Sequence, residues 1–138
     1  MISTHLKLFV AFIMFCATSS VTAQAKVIYT GELAKHVKGF NGPTPLQITV
    51  DNDRITKIEA GANSESPRYF KMAQKKIFPQ YIGKTVDEAI SLKPDAASGA
   101  TYSSKAIAEN IRIGLINYKK MHKKAAAKAT KRSAKKKK

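Results

Sequence analysis

The residues best suited to chemistry are Asp95-Ala96-Ala97-Ser98-Gly99-Ala100-Thr101, which lead through Tyr102-Ser103-Ser104 into a helical pattern. Small side chains and one glycine bring a hydroxyl to the mouth of a helix, where a phosphate is met by unpaired backbone N–H groups. A threonine hydroxyl is a weak nucleophile unless a base or metal activates it. Beyond residue 23 the histidines are His36 and His122, both remote in sequence, and Asp95 stands six residues before Thr101 without the makings of a triad. No catalytic residue and no metal-ligating set is assigned. Taken alone, Ser98–Thr101 also fits a plain loop and helix N-cap, since serine and threonine are favoured there.

The elements that must position this loop are legible upstream. Val27–Leu33 is rich in β-formers and predicts a first strand. Gly39–Pro45 reads as an irregular turn whose glycines and prolines direct the chain. Leu46–Val50 and Arg54–Ala60 read as alternating apolar and polar residues about the turn Asp51-Asn52-Asp53, a β-hairpin. Pro67 opens a helix to about Ile77, with Tyr69, Phe70, Met72 and Ala73 expected mostly inward. Thr85 and Glu88 have capping-box spacing, so a short helix covers Ala89 and Ile90. The last helix is expected from Ser103 or Ser104, with Ile107, Ile111, Leu115 and Tyr118 on one stripe beside Ala108 and Gly114. The fold class is α+β: a small antiparallel sheet with a central hairpin, covered by helices, with the loop at 95–101 leading into the C-terminal helix.

The two ends differ in kind. His5 and Lys7 precede an apolar run from Leu8 to Ala17, then Val21-Thr22-Ala23 and Ala23-Gln24-Ala25 offer small-x-small cleavage sites, of which the first is favoured. Residues 1–23 are read as a signal peptide, too short in apolar length for the ~20 residues of a spanning helix. Cleavage after Ala23 removes Cys16, the single cysteine, and with it any thiolate or iron–sulfur chemistry. Residues 119–138 hold eleven Lys or Arg and no acid, and are expected as a disordered basic tail, partly helical near its start. Most of the net charge of +16 therefore belongs to the tail, and the domain at 24–118 carries thirteen basic and nine acidic side chains.

The stretch Asp95-…-Ser98-Gly99-Ala100-Thr101 resembles the Asp-x-x-(Ser/Thr)-Gly-Ala-Thr signature of the FMN-binding domain family. That family includes the flavin-bearing C subunit of sodium-pumping NADH:quinone oxidoreductase and the G subunit of the Rnf complex. The resemblance implies FMN attached to Thr101 by a phosphoester bond, added from FAD by a magnesium-dependent flavin transferase that recognises the loop. It also implies that Gly99 and Ala100 are small to admit the transferase, and that Asp95 and Ser98 fix the loop's shape. Glu65-Ser66-Pro67 resembles a Glu-Thr-Pro turn lining the family's flavin site, with Ser66 for threonine and Arg68 for the usual following glycine. Gly39-x-x-Gly42 resembles the family's glycine-rich turn. Tyr102, Ser103, Leu92 and Tyr69 are expected around the flavin, with Lys93 and Lys105 adding charge near its phosphate.

Two functions follow as expectations. The first is an exported, periplasmic or extracytoplasmic carrier, not itself an enzyme, that passes electrons between a membrane redox partner and an outside acceptor. The second is a secreted basic protein that binds an anionic surface through its tail. Export and the absence of interleaved aromatics in the tail argue against nucleic acid as that partner.

Overall fold

The computed structural model describes residues 24–136. The signal-peptide reading of residues 1–23, Cys16 included, lies outside the described residues. Three strands, β1 (Lys26–Tyr29), β2 (Leu46–Asp51) and β3 (Arg54–Ala60), are followed by three helices. These are α1 (Pro67–Tyr81), α2 (Val86–Ser91) and α3 (Thr101–Lys136). The strands form an antiparallel sheet in the order β1-β2-β3. This is the α+β arrangement that the patterning predicts.

The hairpin turns on Asn52 (φ 47°) and Asp53 (φ 63°), two residue types that tolerate the left-handed region. Leu46, Ile48 and Val50 all point into the core, as strict alternation requires. In β3 the alternation breaks, because Ile55 and Ile58 are three residues apart and both are buried. The register shift opposite Thr49/Val50 resolves this by pairing Ile48 with Ile58 and Val50 with Ile55, which leaves Thr56 as the extra residue of a bulge.

Over that face lie α1 and α3. From α1 come Phe70, Ala73, Ile77 and Tyr81, spaced three or four apart. Tyr69 and Met72, expected inward, are 47% and 38% exposed, since only one stripe of a helix can meet the sheet. α1 runs four residues past the expected Ile77 and tolerates Pro79 close to its end. Ile107, Ile111 and Leu115 of α3 are fully buried. Gly114 allows the closest approach, because a Cβ there would stand 2.9 Å from Thr30 Cγ2. Thr85 and Glu88 close the expected capping box on α2.

β1 stops four residues before the expected Leu33, and the chain turns at Gly31. There the buried Thr30 hydroxyl donates to Asn110 Oδ1 (2.7 Å) and accepts from the Leu46 N–H (2.8 Å). Asn110 Nδ2 donates to Thr44 Oγ1 (3.1 Å) and to the Ala106 carbonyl (2.9 Å). This network ties β1, the 39–45 turn and α3 together. Asn110→Ala strands the Thr30 and Thr44 hydroxyls, and a thermal melt should show a loss of about 1–3 kcal/mol.

The basic segment, expected to be helical only near its start, is helical through its described length. α3 continues through Lys136, exposed almost throughout beyond Tyr118. Alanine, lysine and arginine are among the strongest helix formers, and no proline or glycine interrupts 119–136. The helix leaves the domain at Tyr118, whose ring lies 4.2 Å from that of His122, and at the Lys119–Asp87 ion pair. Among the described residues no helix is long and apolar enough to cross a membrane.

Candidate functional site

Two helix N-termini meet at one cavity of about 500 Å³, lined by Phe40, Glu65, Ser66, Tyr69 and the run Gly99–Ser103. Ser66 is the N-cap of α1, and its hydroxyl makes no capping bond. Thr101 opens α3, two or three residues before the expected start at Ser103 or Ser104. Neither helix has an acid in its first turn, and the positive ends of both dipoles face a cavity that the Glu65 carboxylate also lines.

The loop before α3 is fastened at both ends. Gln80 of α1 accepts from the Asp95 N–H and donates to the Asp95 carbonyl, both at 3.0 Å. The Ala97 N–H donates to Ser104 Oγ at 3.0 Å. Gly99 then turns the chain at φ +81°, a region costly for any residue with a Cβ. Ala100 follows as the residue before α3, accepting from the Ser104 N–H at 3.0 Å. Alanine is a poor N-cap because it carries no acceptor, so the leading N–H groups of α3 are left for something else. Thr101 is exposed beside them. Gly99→Ala should cost about 1 kcal/mol through left-handed strain, read in a thermal melt.

Glu65 is buried, contrary to a solvated turn residue. Its carboxylate accepts from the Phe40 N–H (3.1 Å), the Asn41 N–H (2.6 Å) and the Ser103 hydroxyl (2.5 Å). Burial pushes its pKa up, but the Ser103 hydroxyl and the N–H groups of Asn41, Phe40 and Gly42 outweigh burial and hold it below 4.5. The carboxylate thus clamps the 39–42 turn to the first turn of α3. A Cβ on Gly39 would come within 2.7 Å of the Glu65 carboxyl carbon, so only glycine lets the turn close. Asn63 Oδ1 accepts from the Glu65 N–H at 3.0 Å and fixes its backbone.

The clamp sets Phe40 against Tyr102, ring centroids 6.1 Å apart. Phe40 is 75% exposed and Tyr102 69%, large apolar surfaces left open at the cavity rim. Tyr69 completes the aromatic wall.

Of the residues expected here, Thr101, Gly99, Ala100, Tyr102, Ser103, Glu65, Ser66 and Tyr69 line one cavity. Asp95 acts through its backbone, and Ser98 is exposed on the turn beside Gly99. Leu92, Lys93 and Lys105 do not belong to it. They line a separate cavity of about 410 Å³ with Tyr81, Ser104 and Arg112. The Gln80 bonds to Asp95 hold the preceding residues on the α1 side of the loop. Phe40 and Gln80 were not singled out from sequence, and Ser104 only as a possible helix start; a phenylalanine set between Gly39 and Gly42 was the one signal. Among the described residues no cluster of three or more His, Cys, Asp or Glu could hold a metal ion.

The arrangement fits a phosphate bearing a large planar group. It offers open N–H groups, an exposed hydroxyl and an aromatic-walled slot. The family model of the FMN-binding domain matches residues 39–115, from the glycine that closes on Glu65 to the last buried leucine of α3. Among curated proteins no match is found.

Proposed function

The chain belongs to the FMN-binding domain family, and from that premise we propose that it is an exported electron carrier with FMN joined to Thr101 through a phosphoester. The observation that carries the reading is the exposed Thr101 at the first position of α3, with an uncapped helix N-terminus and the Phe40–Tyr69–Tyr102 wall around it. Bound FMN supplies reversible electron transfer, which the side chains of the mature chain lack.

The residues divide the work of holding it. The N–H groups of Thr101, Tyr102 and Ser103 are free of helix acceptors and suit the phosphate. Phe40, Tyr69 and Tyr102 offer flat apolar surface to the ring. Glu65 and Gly39 keep the wall carrying Phe40 in place, and Gln80 and Ser104 keep the loop in register. Nothing beside Thr101 activates its hydroxyl: the Glu65 carboxylate is engaged by three donors, and Thr101 enters no described side-chain bond. A magnesium-dependent flavin transferase using FAD as donor supplies that activation, and a loop of small exposed residues supports entry into its active site.

Electrons enter and leave through one open cavity, which supports a module working beside a membrane oxidoreductase and an extracytoplasmic acceptor. Export is testable separately: the mature protein should begin at Gln24, and recovery of full-length chain confined to the cytoplasm would contradict it. For the carrier itself, protein produced with an active transferase should bleach on addition of a low-potential donor and regain colour with an acceptor. A bound flavin that neither donor nor acceptor can reach would overturn the carrier reading.

A further inference from the structure

The 95–100 loop has a second cavity beside it, of about 410 Å³. Ala96 and Ser104 line this one, whereas Gly99 and Ser103 line the aromatic-walled cavity. Its inner wall is apolar, with Ile77 buried and Leu92 and Ala108 half-buried. Its rim is cationic: Lys93 stands before the loop and Lys105 and Arg112 on α3, all three exposed. Lys105, Ala108 and Arg112 follow at intervals of three and four and so share one face of the helix. Three cations against the one acid, Glu109, leave the lining with a net charge of +2.

Two side chains there have donors to spare. Tyr81, at the end of α1, is only 1% exposed, yet its hydroxyl enters no described hydrogen bond. Buried tyrosine hydroxyls ordinarily find a partner. Among the described residues Asp51 Oδ1 is the sealed side-chain atom that lacks one. Tyr81 Oη is therefore not sealed, and it opens into the cavity that Tyr81 lines. Burial, and after it the nearby Glu109 carboxylate, push its pKa up to about 12, so it remains a protonated donor at physiological pH. Arg112 is the other. Its Nε donates to Glu109 Oε2 (2.9 Å) and its Nη2 to Glu109 Oε1 (2.5 Å). That side-on pairing leaves Nη1 and the second hydrogen of Nη2 as an end-on fork, the geometry that meets a carboxylate with two parallel bonds.

We infer that this cavity is a binding site for a small organic carboxylate with an apolar body. Tyr81, Arg112 and the two lysines answer the carboxylate, and Ile77, Leu92 and Ala108 receive the body. An inorganic anion makes no use of the apolar wall, and a neutral ligand makes none of the cations. The volume falls within the roughly 300–1,000 Å³ of small-molecule pockets. Neither cavity needs the other to be filled, so this site stands whether or not Thr101 carries a flavin.

The test is calorimetric titration of the purified protein with 2-naphthoate, beside its neutral amide and inorganic phosphate. Naphthoate should bind at least ten-fold more tightly than either. Tyr81→Phe keeps the ring in the core and should weaken naphthoate about ten-fold or more, the worth of a hydrogen bond to a charged group. K93Q/K105Q changes two exposed positions outside the core and should weaken it several-fold, most strongly at low salt. Tyr102→Ala, in the aromatic-walled cavity, should leave the affinity unchanged. No binding at millimolar naphthoate, equal binding of the amide or of phosphate, or full affinity in Tyr81→Phe would each overturn the proposal. Loss of binding in Tyr102→Ala would do the same, by placing the ligand in the other cavity.

Discussion

Thr101→Ala is expected to abolish covalent flavin and leave the fold untouched. Thr101 is exposed at the first position of α3, and its side chain enters no described hydrogen bond. Its removal should therefore move stability by no more than about 0.5 kcal/mol. The loss of attachment should nevertheless be complete, because no other hydroxyl in the cavity is equivalent. Ser103 is buried and donates to Glu65. Ser66 stands at the start of a different helix. Tyr102 lacks the aliphatic hydroxyl and the position. Thr101→Ser keeps the nucleophile and should retain part of the label. Flavin fluorescence in a denaturing gel, beside a thermal melt of each variant, reads both effects. Persistent fluorescence in the alanine variant would move the attachment elsewhere.

Glu65→Gln should have the largest effect on stability. The carboxylate accepts three bonds, from Phe40 N, Asn41 N and Ser103 Oγ. An amide can offer one oxygen, and its NH₂ then meets an N–H donor head-on. Charge-assisted bonds are worth about 1.5–3 kcal/mol, and a buried unpaired donor costs about 1–3 kcal/mol. A loss of about 2–4 kcal/mol follows, which lowers the melting temperature of so small a domain by about 10 °C or more. Freed from its clamp, Phe40 no longer faces Tyr102, and flavin loading by the transferase should fall with stability. The pH dependence has a definite sign. With the folded pKa held below 4.5, the carboxylate's contribution is complete above the unfolded value and is lost as pH falls through the folded one. The stability gap between the protein and Glu65→Gln should therefore close in acid, below about pH 4.5. A gap that widens in acid would mean that the carboxyl is held in its neutral form.

Local chemistry made much of this fold readable. Asn52 and Asp53 announced the hairpin, Pro67 the start of α1, and Thr85 with Glu88 the cap of α2, since each acts within four residues. The stripe of Ile107, Ile111 and Leu115 was equally plain. The loop at 95–101 stood out through its resemblance to a family signature, since Ser98–Thr101 taken alone also fits a plain loop and helix N-cap. What escaped were interactions across long sequence distances. Glu65 looks like any turn acid until Phe40, Asn41 and Ser103 come to it from 24 to 38 residues away. The bulge at Thr56 is dictated by the partner strand, not by β3's own pattern. Lys93 and Lys105 flank the loop in sequence, yet both line another cavity, Lys93 just before the Asp95 held by Gln80 and Lys105 on α3. The helix in the tail runs further than expected because composition alone shows only that the segment cannot build a core, whereas helix propensity asks for alanine and lysine in sequence behind an anchored turn.

The central claim is a flavin phosphate bonded to one hydroxyl, and peptide mapping tests it most directly. The mature protein, co-produced with an active flavin transferase, should gain the mass of a single FMN, carried on the peptide that contains Thr101. An unmodified Thr101 peptide under those conditions, or FMN mapped to another residue, would contradict the account.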